Sequence, residues 1–224
     1  MYYLSMKGAF DFAYIFKTVV TRWYYYVFLA VFVILLFTFF FFKKQPERNA
    51  LSKTAKIAYA AVLTALCTVV NIFDIKISDV FQISLVATVG FLSGYLMGGG
   101  WGFAVCFMGD LIGAIINPHG PYNPIIGIGT GLWGLIPGIA FSYFKGNPFV
   151  KCGISYLIGF LLISAGINLV GFCLMYPTYY TFETLLPTLP LKVVVAAVNF
   201  ALSCALICLL PRVLPKDKFP KLNG

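Results

Sequence analysis

Charged residues are scarce in this sequence. Asp, Glu, Lys and Arg make up 10% of its 224 residues, whereas soluble domains carry about 25%. A soluble fold of this size could not cover its surface with so few. The net charge is +9, but the basic residues stand in short clusters between long uncharged runs, as in multi-spanning membrane proteins. The composition therefore excludes a soluble domain and argues against a nucleic-acid partner.

Catalytic groups are scarce as well. The sequence has 1 His and 7 acidic residues, and it lacks a P-loop, an HExxH motif, paired carboxylates on neighbouring helices and a Ser beside a plausible base. Cys204 and Cys208 share a helix face, but no His or carboxylate near them completes a metal site. We therefore expect no enzyme, no cofactor and no metal site. One carboxylate inside a span, Asp110, is also too few for an ion-coupled carrier, which leaves a membrane protein that binds something and lacks its own energy source.

The long uncharged runs predict the fold class. A helix needs about 20 residues to cross the hydrocarbon, and only helices or closed barrels satisfy their backbone there. Three longer runs are divided at Gly98 to Gly100, at Pro118 to Pro124 and at Tyr176-Pro177. The prediction is an all-α integral membrane protein with seven spans, near residues 23–42, 57–73, 81–97, 102–117, 125–143, 153–174 and 192–210.

Orientation follows from the basic residues in the loops, which concentrate on the cytoplasmic side. If the segment after the first span is cytoplasmic, eleven of the 16 Lys and Arg residues fall inside. The N-terminus is then outside and the C-terminus cytoplasmic, although three basic residues among the first 22 oppose the rule.

Small residues recur at helical spacing. Gly90, Gly94, Gly98 and Gly102 fall every fourth residue, a spacing that lets helices approach closely inside a bundle. Ala58, Ala61 and Ala65 form a similar smooth face on the second span. That face could receive a partner helix.

Several polar residues have two interpretations. Asp110 is either functional, as intramembrane carboxylates often are, or structural, with Asn117, Asn168 and Asn199 as its possible neighbours. His119 is either a loop hydrogen bonder or part of a site wall. For Lys76 and Lys192, snorkelling to the interface competes with binding of an anionic solute.

Four motifs follow one another between Ile75 and Gly138. They are a basic-Ile-Ser helix start, a Gly-x-x-x-Gly turn, a Gly-Asp-hydrophobic-hydrophobic-Gly segment and a Pro-x-Gly-x-Tyr-x-Pro loop, found here as Lys76-Ile77-Ser78, Gly98 to Gly102, Gly109 to Gly113 and Pro118 to Pro124. In this order the motifs resemble the substrate-binding S components of energy-coupling factor (ECF) transporters, most closely the folate family. The resemblance covers residues 53–212.

The resemblance implies a six-helix bundle over residues 53–224, preceded by an extension, residues 1–52, that holds one transmembrane helix near 23–42 and a basic cytoplasmic linker. It implies a multi-pass protein of the bacterial cell membrane that binds a vitamin from outside, folate first, for ATP-driven uptake. The partners would be a transmembrane coupling subunit, two cytoplasmic ATPase subunits and the lipid bilayer.

The resemblance also implies roles for residues. Asp110 would be structural or gating, and Ala58, Ala61 and Ala65 would face the coupling subunit. Further candidates are Tyr179 and Tyr180. The substrate-binding candidates are Lys76, Ser78, His119, Tyr122, Asn123, Trp133, Asn168 and Lys192.

Two positions depart from the folate-family pattern. Asp79 stands where an aromatic residue is usual, and Ile125 stands where a glycine is expected. Riboflavin, pantothenate and thiamine therefore stay open as ligands. An integral membrane enzyme that acts on lipid, with Asp110 and His119 as acid and base, and a purely structural membrane subunit are the rival hypotheses.

Overall fold

The structure is a computed structural model that describes residues 53–78, 81–117, 122–176 and 180–213, together with Val27. Apart from Val27, the predicted N-terminal extension and its helix near residues 23–42 lie outside the described residues. The bundle predicted from residue 53 onward can be compared element by element.

Helices dominate the described part of the chain. Helix α5 (Pro148–Gly159) continues without a break through a π-helical segment, Phe160–Ile167, into α6 (Asn168–Met175). The elements in chain order are α1 (Lys53–Ile72), β1 (Ile75–Ser78), β2 (Phe81–Ile83), α2 (Val86–Met97), α3 (Gly99–Ile116), α4 (Pro124–Tyr143), α5 (Pro148–Gly159), α6 (Asn168–Met175), α7 (Phe182–Leu185), a 3-10 turn (Leu186–Thr188) and α8 (Leu189–Val213).

The helices have the length and composition of membrane spans. Among the described residues, 5 helical stretches are long and apolar enough to cross a bilayer, and Val86–Met97 is a shorter apolar helix. The predicted all-α membrane bundle is confirmed, with each of the six core spans present as a helix. The breaks also fall where the sequence predicts them, because α2 ends at Met97, α3 at Ile116 and α6 at Met175.

A β-hairpin replaces part of one predicted span. We expected a helix from residue 81, with Lys76-Ile77-Ser78 as its start, but strands β1 and β2 pair antiparallel, with Ile75 opposite Ile83. Helix α2 begins only at Val86. The reason lies in the period-2 alternation of apolar and polar residues over Ile75 to Ser78, a strand pattern that β-branched side chains favour.

Glycines bring α2, α3 and α4 into backbone contact. A Cβ atom added to Gly102 would lie 2.6 Å from the carbonyl oxygen of Gly134, and one added to Gly94 would meet the same carbonyl. Gly98, with φ 89°, ends α2 and lets α3 start at once. We call this contact of Gly94, Gly102, Gly134 and Gly138 the glycine seam. It confirms the internal packing predicted from the glycine spacing.

Candidate ligand-binding site

A cavity of about 320 Å³ lies at one end of the bundle. Its walls come from the end of α1, the hairpin, the start of α2, the end of α3, the starts of α4 and α8, and the π-helical segment with α6. Because these helices run in alternate directions, the cavity lies at the end opposite Lys56, Lys145 and Arg212. The polar and aromatic residues of its wall include Asn71, Asp74, Gln82, Ser84, Asp110, Asn117, Tyr122, Asn123, Thr130, Trp133, Ser164, Asn168, Phe172, Tyr176, Lys192 and Asn199.

Asp110 holds together three elements of the cavity wall. Its Oδ1 accepts hydrogen bonds from Asn71 Nδ2 at 2.9 Å and from Thr130 Oγ1 at 3.3 Å, and its Oδ2 accepts one from the Tyr122 hydroxyl at 3.2 Å. The carboxylate thus joins α1, α3 and α4, together with Tyr122, which lies two residues before α4. The predicted neighbours of Asp110 are not its hydrogen-bond partners. Asn117 donates to the Ile72 carbonyl and Asn199 to the Ser84 carbonyl.

Gly127 makes room for the Tyr122 hydroxyl. A Cβ atom at Gly127 would overlap that oxygen and would lie 3.2 Å from Asp110 Oδ2. The absence of a side chain on this face of α4 therefore allows Tyr122 to reach Asp110. Tyr122, a predicted ligand contact, lies in the cavity wall with its hydroxyl bound to a carboxylate.

Asn123 also lies in the wall, with its amide engaged by the protein. Its Oδ1 caps α4 by accepting from the Ile125 N–H at 3.1 Å, and its Nδ2 donates to the Gly171 carbonyl at 3.0 Å. An Asn before the first turn is a favoured helix cap. The residue joins α4 to α6 at the cavity.

Trp133 presents its indole to the cavity from α4. The ring lies 5.6 Å from the Tyr156 ring, centroid to centroid, and its six-membered edge rests where a Cβ atom on Gly159 would be, 2.5 Å from Cζ3. Because Gly159 has no side chain, the indole can pack closely against α5. Phe172 and Tyr176 add two more aromatic side chains to the wall.

Asn168 has an unused acceptor at the cavity. Its Oδ1 is buried and has no hydrogen-bond partner in the part of the chain that the structure describes. It lies against α4, where a Cβ atom on Gly129 would be 3.0 Å away. A buried amide oxygen without a partner costs free energy, so a bound molecule that donates to it would gain affinity.

Lys192 brings a cation to the wall from the first turn of α8. Its side chain is partly buried and lines the cavity. Among the described residues, the wall combines the ammonium of Lys192, the carboxylates of Asp74 and Asp110, several amides and flat aromatic surfaces. Such a wall suits a polar, planar small molecule.

Most of the remaining predicted contacts lie outside the described residues. His119 and Tyr179 lie outside the described residues, as do the side chains of Lys76 and Ser78. Tyr180 packs against Phe172, with ring centroids 5.6 Å apart. Residues that sequence reasoning missed in the wall include Asn71, Gln82 and Thr130. For Asn71 a signal was present, because an amide inside an uncharged span is costly unless it bonds a partner.

The comparisons with known proteins bear on this cavity and fold. Residues 51–211, more than two thirds of the chain, match the family described as ECF-type riboflavin transporter, S component. The chain belongs to this family. No curated protein sequence matches it. The prediction of an ECF S component is confirmed.

One solved structure shows the same fold. The crystal structure of FolT bound with folic acid matches this S component with a TM-score of 0.58 and 22% identity, over 70% of this chain and 94% of that one. The likeness supports the fold of a multi-pass membrane bundle. The matched family is one of transporter components.

Proposed function

We propose that this S component binds a vitamin with a planar heterocycle in the cavity, with folate as the first candidate and riboflavin as the second. The observation that carries the proposal is the cavity itself, in which Asn168 leaves a buried acceptor open. A ligand that donates an N–H to this oxygen would supply the missing hydrogen bond.

The aromatic wall supports a planar ligand. Trp133, Phe172 and Tyr176 offer large flat surfaces, and stacked aromatic pairs gain free energy beyond the area they bury. Folate carries such a ring together with carboxylates, for which Lys192 would be the cationic partner. The match to a FolT structure holding folic acid favours this candidate.

Riboflavin is the second candidate because of the amides and the family. Asn71, Gln82 and Asn117 line the cavity, and side-chain amides suit a neutral, hydroxyl-rich chain as hydrogen-bond donors and acceptors. The family match carries the name of riboflavin. Pantothenate and thiamine complete the set to be tested.

The hydrogen bonds that Asp110 accepts favour a binding protein over an enzyme that acts on lipid. Its two oxygens already accept three hydrogen bonds from the protein, so the carboxylate is committed to holding the wall. A general base needs an acceptor within reach of the proton it removes. We therefore propose no catalytic activity, and Asp110 keeps a structural or gating role.

Partners and orientation complete the proposal. Ala58, Ala61 and Ala65 are exposed on α1, and we propose this smooth face as the surface for a transmembrane coupling subunit that works with two ATPase subunits. The cavity would open outside and the C-terminus would be cytoplasmic. Residues 1–52 would form a separate extension with one helix.

Thermal stability of the detergent-purified chain without any ATPase tests the proposal. A ligand bound only by the folded state stabilises it by RT ln(1 + [L]/Kd), about 2.7 kcal/mol at 100 times Kd. Folate, riboflavin, pantothenate and thiamine are added one at a time. A clear rise in Tm with one of them supports the proposal and names the ligand, whereas no rise with any of them for a folded protein would overturn it.

A further inference from the structure

Asn199, on α8, bonds to the opposite side of the cavity. The residue is 1% exposed. Its Nδ2 donates to the Ser84 carbonyl at 2.8 Å, and its Oδ1 accepts from the Thr88 N–H at 3.1 Å and from the Thr88 hydroxyl at 2.6 Å. These partners precede it by 115 and 111 positions, so the bonds connect α8 to the end of the hairpin and the start of α2.

This connection adds hydrogen bonds to the start of α2. A helix leaves its first N–H groups without intrahelical partners, and the residue at the cap position, Leu85, makes no side-chain cap. The Ser84 hydroxyl accepts from the Val86 N–H at 3.1 Å. The amide of Asn199 adds an acceptor for Thr88 in the first turn, whose N–H also bonds the Leu85 carbonyl at 3.0 Å. Ser84, its other partner, is the residue that follows β2 by one position, so one side chain fixes both the hairpin end and the helix start.

The amide of Asn199 has no capacity left for a ligand. An Asn side chain has two N–H donors and two acceptor lone pairs. Nδ2 donates to Ser84 and, at 2.9 Å, to the Val195 carbonyl within α8, and Oδ1 accepts both bonds from Thr88. Although Asn199 lines the cavity, its polar atoms are fully used by the protein.

Two walls of the cavity meet through this residue. On α8 the lining residues fall on one helical face that ends at Asn199, and facing them are residues of the hairpin and the start of α2. Because a helix face is rigid over two turns, a bond at Asn199 also fixes Lys192 relative to the hairpin. The lining residues concerned are Lys192, Val195, Ala196 and Asn199 on α8, and Gln82, Ser84, Val86 and Ala87 opposite.

We propose that Asn199 is a positioning residue that sets how long a ligand stays bound, by tying the β1–β2 hairpin and the start of α2 to α8. The inference rests on the proposed function, because it concerns the ligand of the same cavity. Loss of these bonds frees the hairpin wall from the α8 wall, and a bound molecule escapes between them sooner. Association changes little, since the encounter with the open cavity does not need the bonds.

The test measures ligand dissociation for Asn199→Ala and Thr88→Val in nanodiscs, with folate or riboflavin as the probe, whichever raises Tm. We expect Asn199→Ala to raise koff about tenfold and to leave kon within about threefold, the usual pattern for changes within one interface. Thr88→Val removes one of the bonds and raises koff by a smaller factor. In the double variant the effects are not additive, because the Thr88 hydroxyl acts through Asn199.

Ser155→Ala is the matched control. Ser155, on α5, is 2% exposed and donates to the Lys151 carbonyl of its own helix, so its loss lowers Tm without touching either wall. Amide hydrogen exchange of the hairpin, measured without ligand, should quicken in Asn199→Ala and stay unchanged in Ser155→Ala.

The outcomes separate the two proposals. If the wild-type chain binds its vitamin but koff and hairpin exchange are unchanged in Asn199→Ala, the role of Asn199 alone is overturned. If Asn199→Ala does not fold, the same result in Thr88→Val overturns it. An equal change in Ser155→Ala also overturns it. A folded wild-type chain that binds none of the vitamins overturns the proposed function and this inference with it.

Discussion

The Tyr122 hydroxyl donates to Asp110 Oδ2 at 3.2 Å, which joins the chain just before α4 to the interior of α3. With Asn71 and Thr130 on the other carboxylate oxygen, the bond makes Asp110 the point where three walls of the cavity meet. The three hydrogen-bond donors thus offset the free-energy cost of burying this carboxylate in the span.

Replacement of Asp110 should weaken the fold and the site together. Asp110→Ala leaves the donors of Asn71, Tyr122 and Thr130 without their acceptor, and we expect a loss of about 2 to 3 kcal/mol in unfolding free energy. Asp110→Asn keeps one acceptor oxygen and should lose less. Thermal unfolding of both variants checks the order, and an Asp110→Ala protein as stable as wild type would contradict the structural role.

Gly127→Ala should destabilise the protein by forcing Tyr122 away from Asp110. The added Cβ overlaps the Tyr122 hydroxyl, and overpacking of this kind costs about 1 to 3 kcal/mol. Tyr122→Phe removes the oxygen and should partly restore the stability of Gly127→Ala, as a double-mutant cycle of Tm values would show. Gly153→Ala is the control, because its nearest neighbour, Phe200, is 3.9 Å from the added atom.

Gly159→Ala should lower ligand affinity through Trp133. The new methyl group meets the indole edge and pushes the ring from its position in the wall. If the ligand stacks on this ring, Gly159→Ala and Trp133→Leu both raise Kd, by about tenfold for the loss of a buried aromatic contact of about 1.4 kcal/mol. Titration of the vitamin by isothermal calorimetry measures this, and an unchanged Kd in both variants would remove Trp133 from the site.

Lys192→Met should separate folate from riboflavin. Folate has carboxylates that can pair with the ammonium, and a charge-assisted hydrogen bond is worth about 1.5 to 3 kcal/mol, so its Kd should rise at least about tenfold. Riboflavin has no carboxylate and should lose little. Lys145→Met, at an exposed position on the opposite end of the bundle, should leave both affinities unchanged; equal losses for both vitamins in Lys192→Met would argue against a carboxylate partner.

The helices could be predicted because hydrophobic runs and their glycine and proline breaks are local properties of the chain. The hairpin could not be separated from the helix that follows, because Phe81 to Leu85 continues the uncharged run into α2 without a Gly or Pro break. The alternation over Ile75 to Ser78 was the available clue. A local pattern of four residues is easily outweighed by a run of helical length.

The site was predicted in part. Trp133, Asn168 and Lys192, which the sequence named as candidate contacts, line the cavity, and their contact with a ligand stays a prediction. The partners of Asp110 could not be predicted, since Asn71 and Asp110 are 39 positions apart. Their pairing depends on how α1 and α3 are rotated against each other.

The glycine seam limits where this protein can change its ligand preference in evolution. Gly94, Gly102 and Gly134 touch backbone atoms, so a side chain there has no room and would separate the packed backbones of α2, α3 and α4. Asn168 and Lys192 lie on elements outside the seam, where a new side chain alters the cavity without separating packed backbones. Divergence toward a new vitamin would therefore accumulate on α6 and α8.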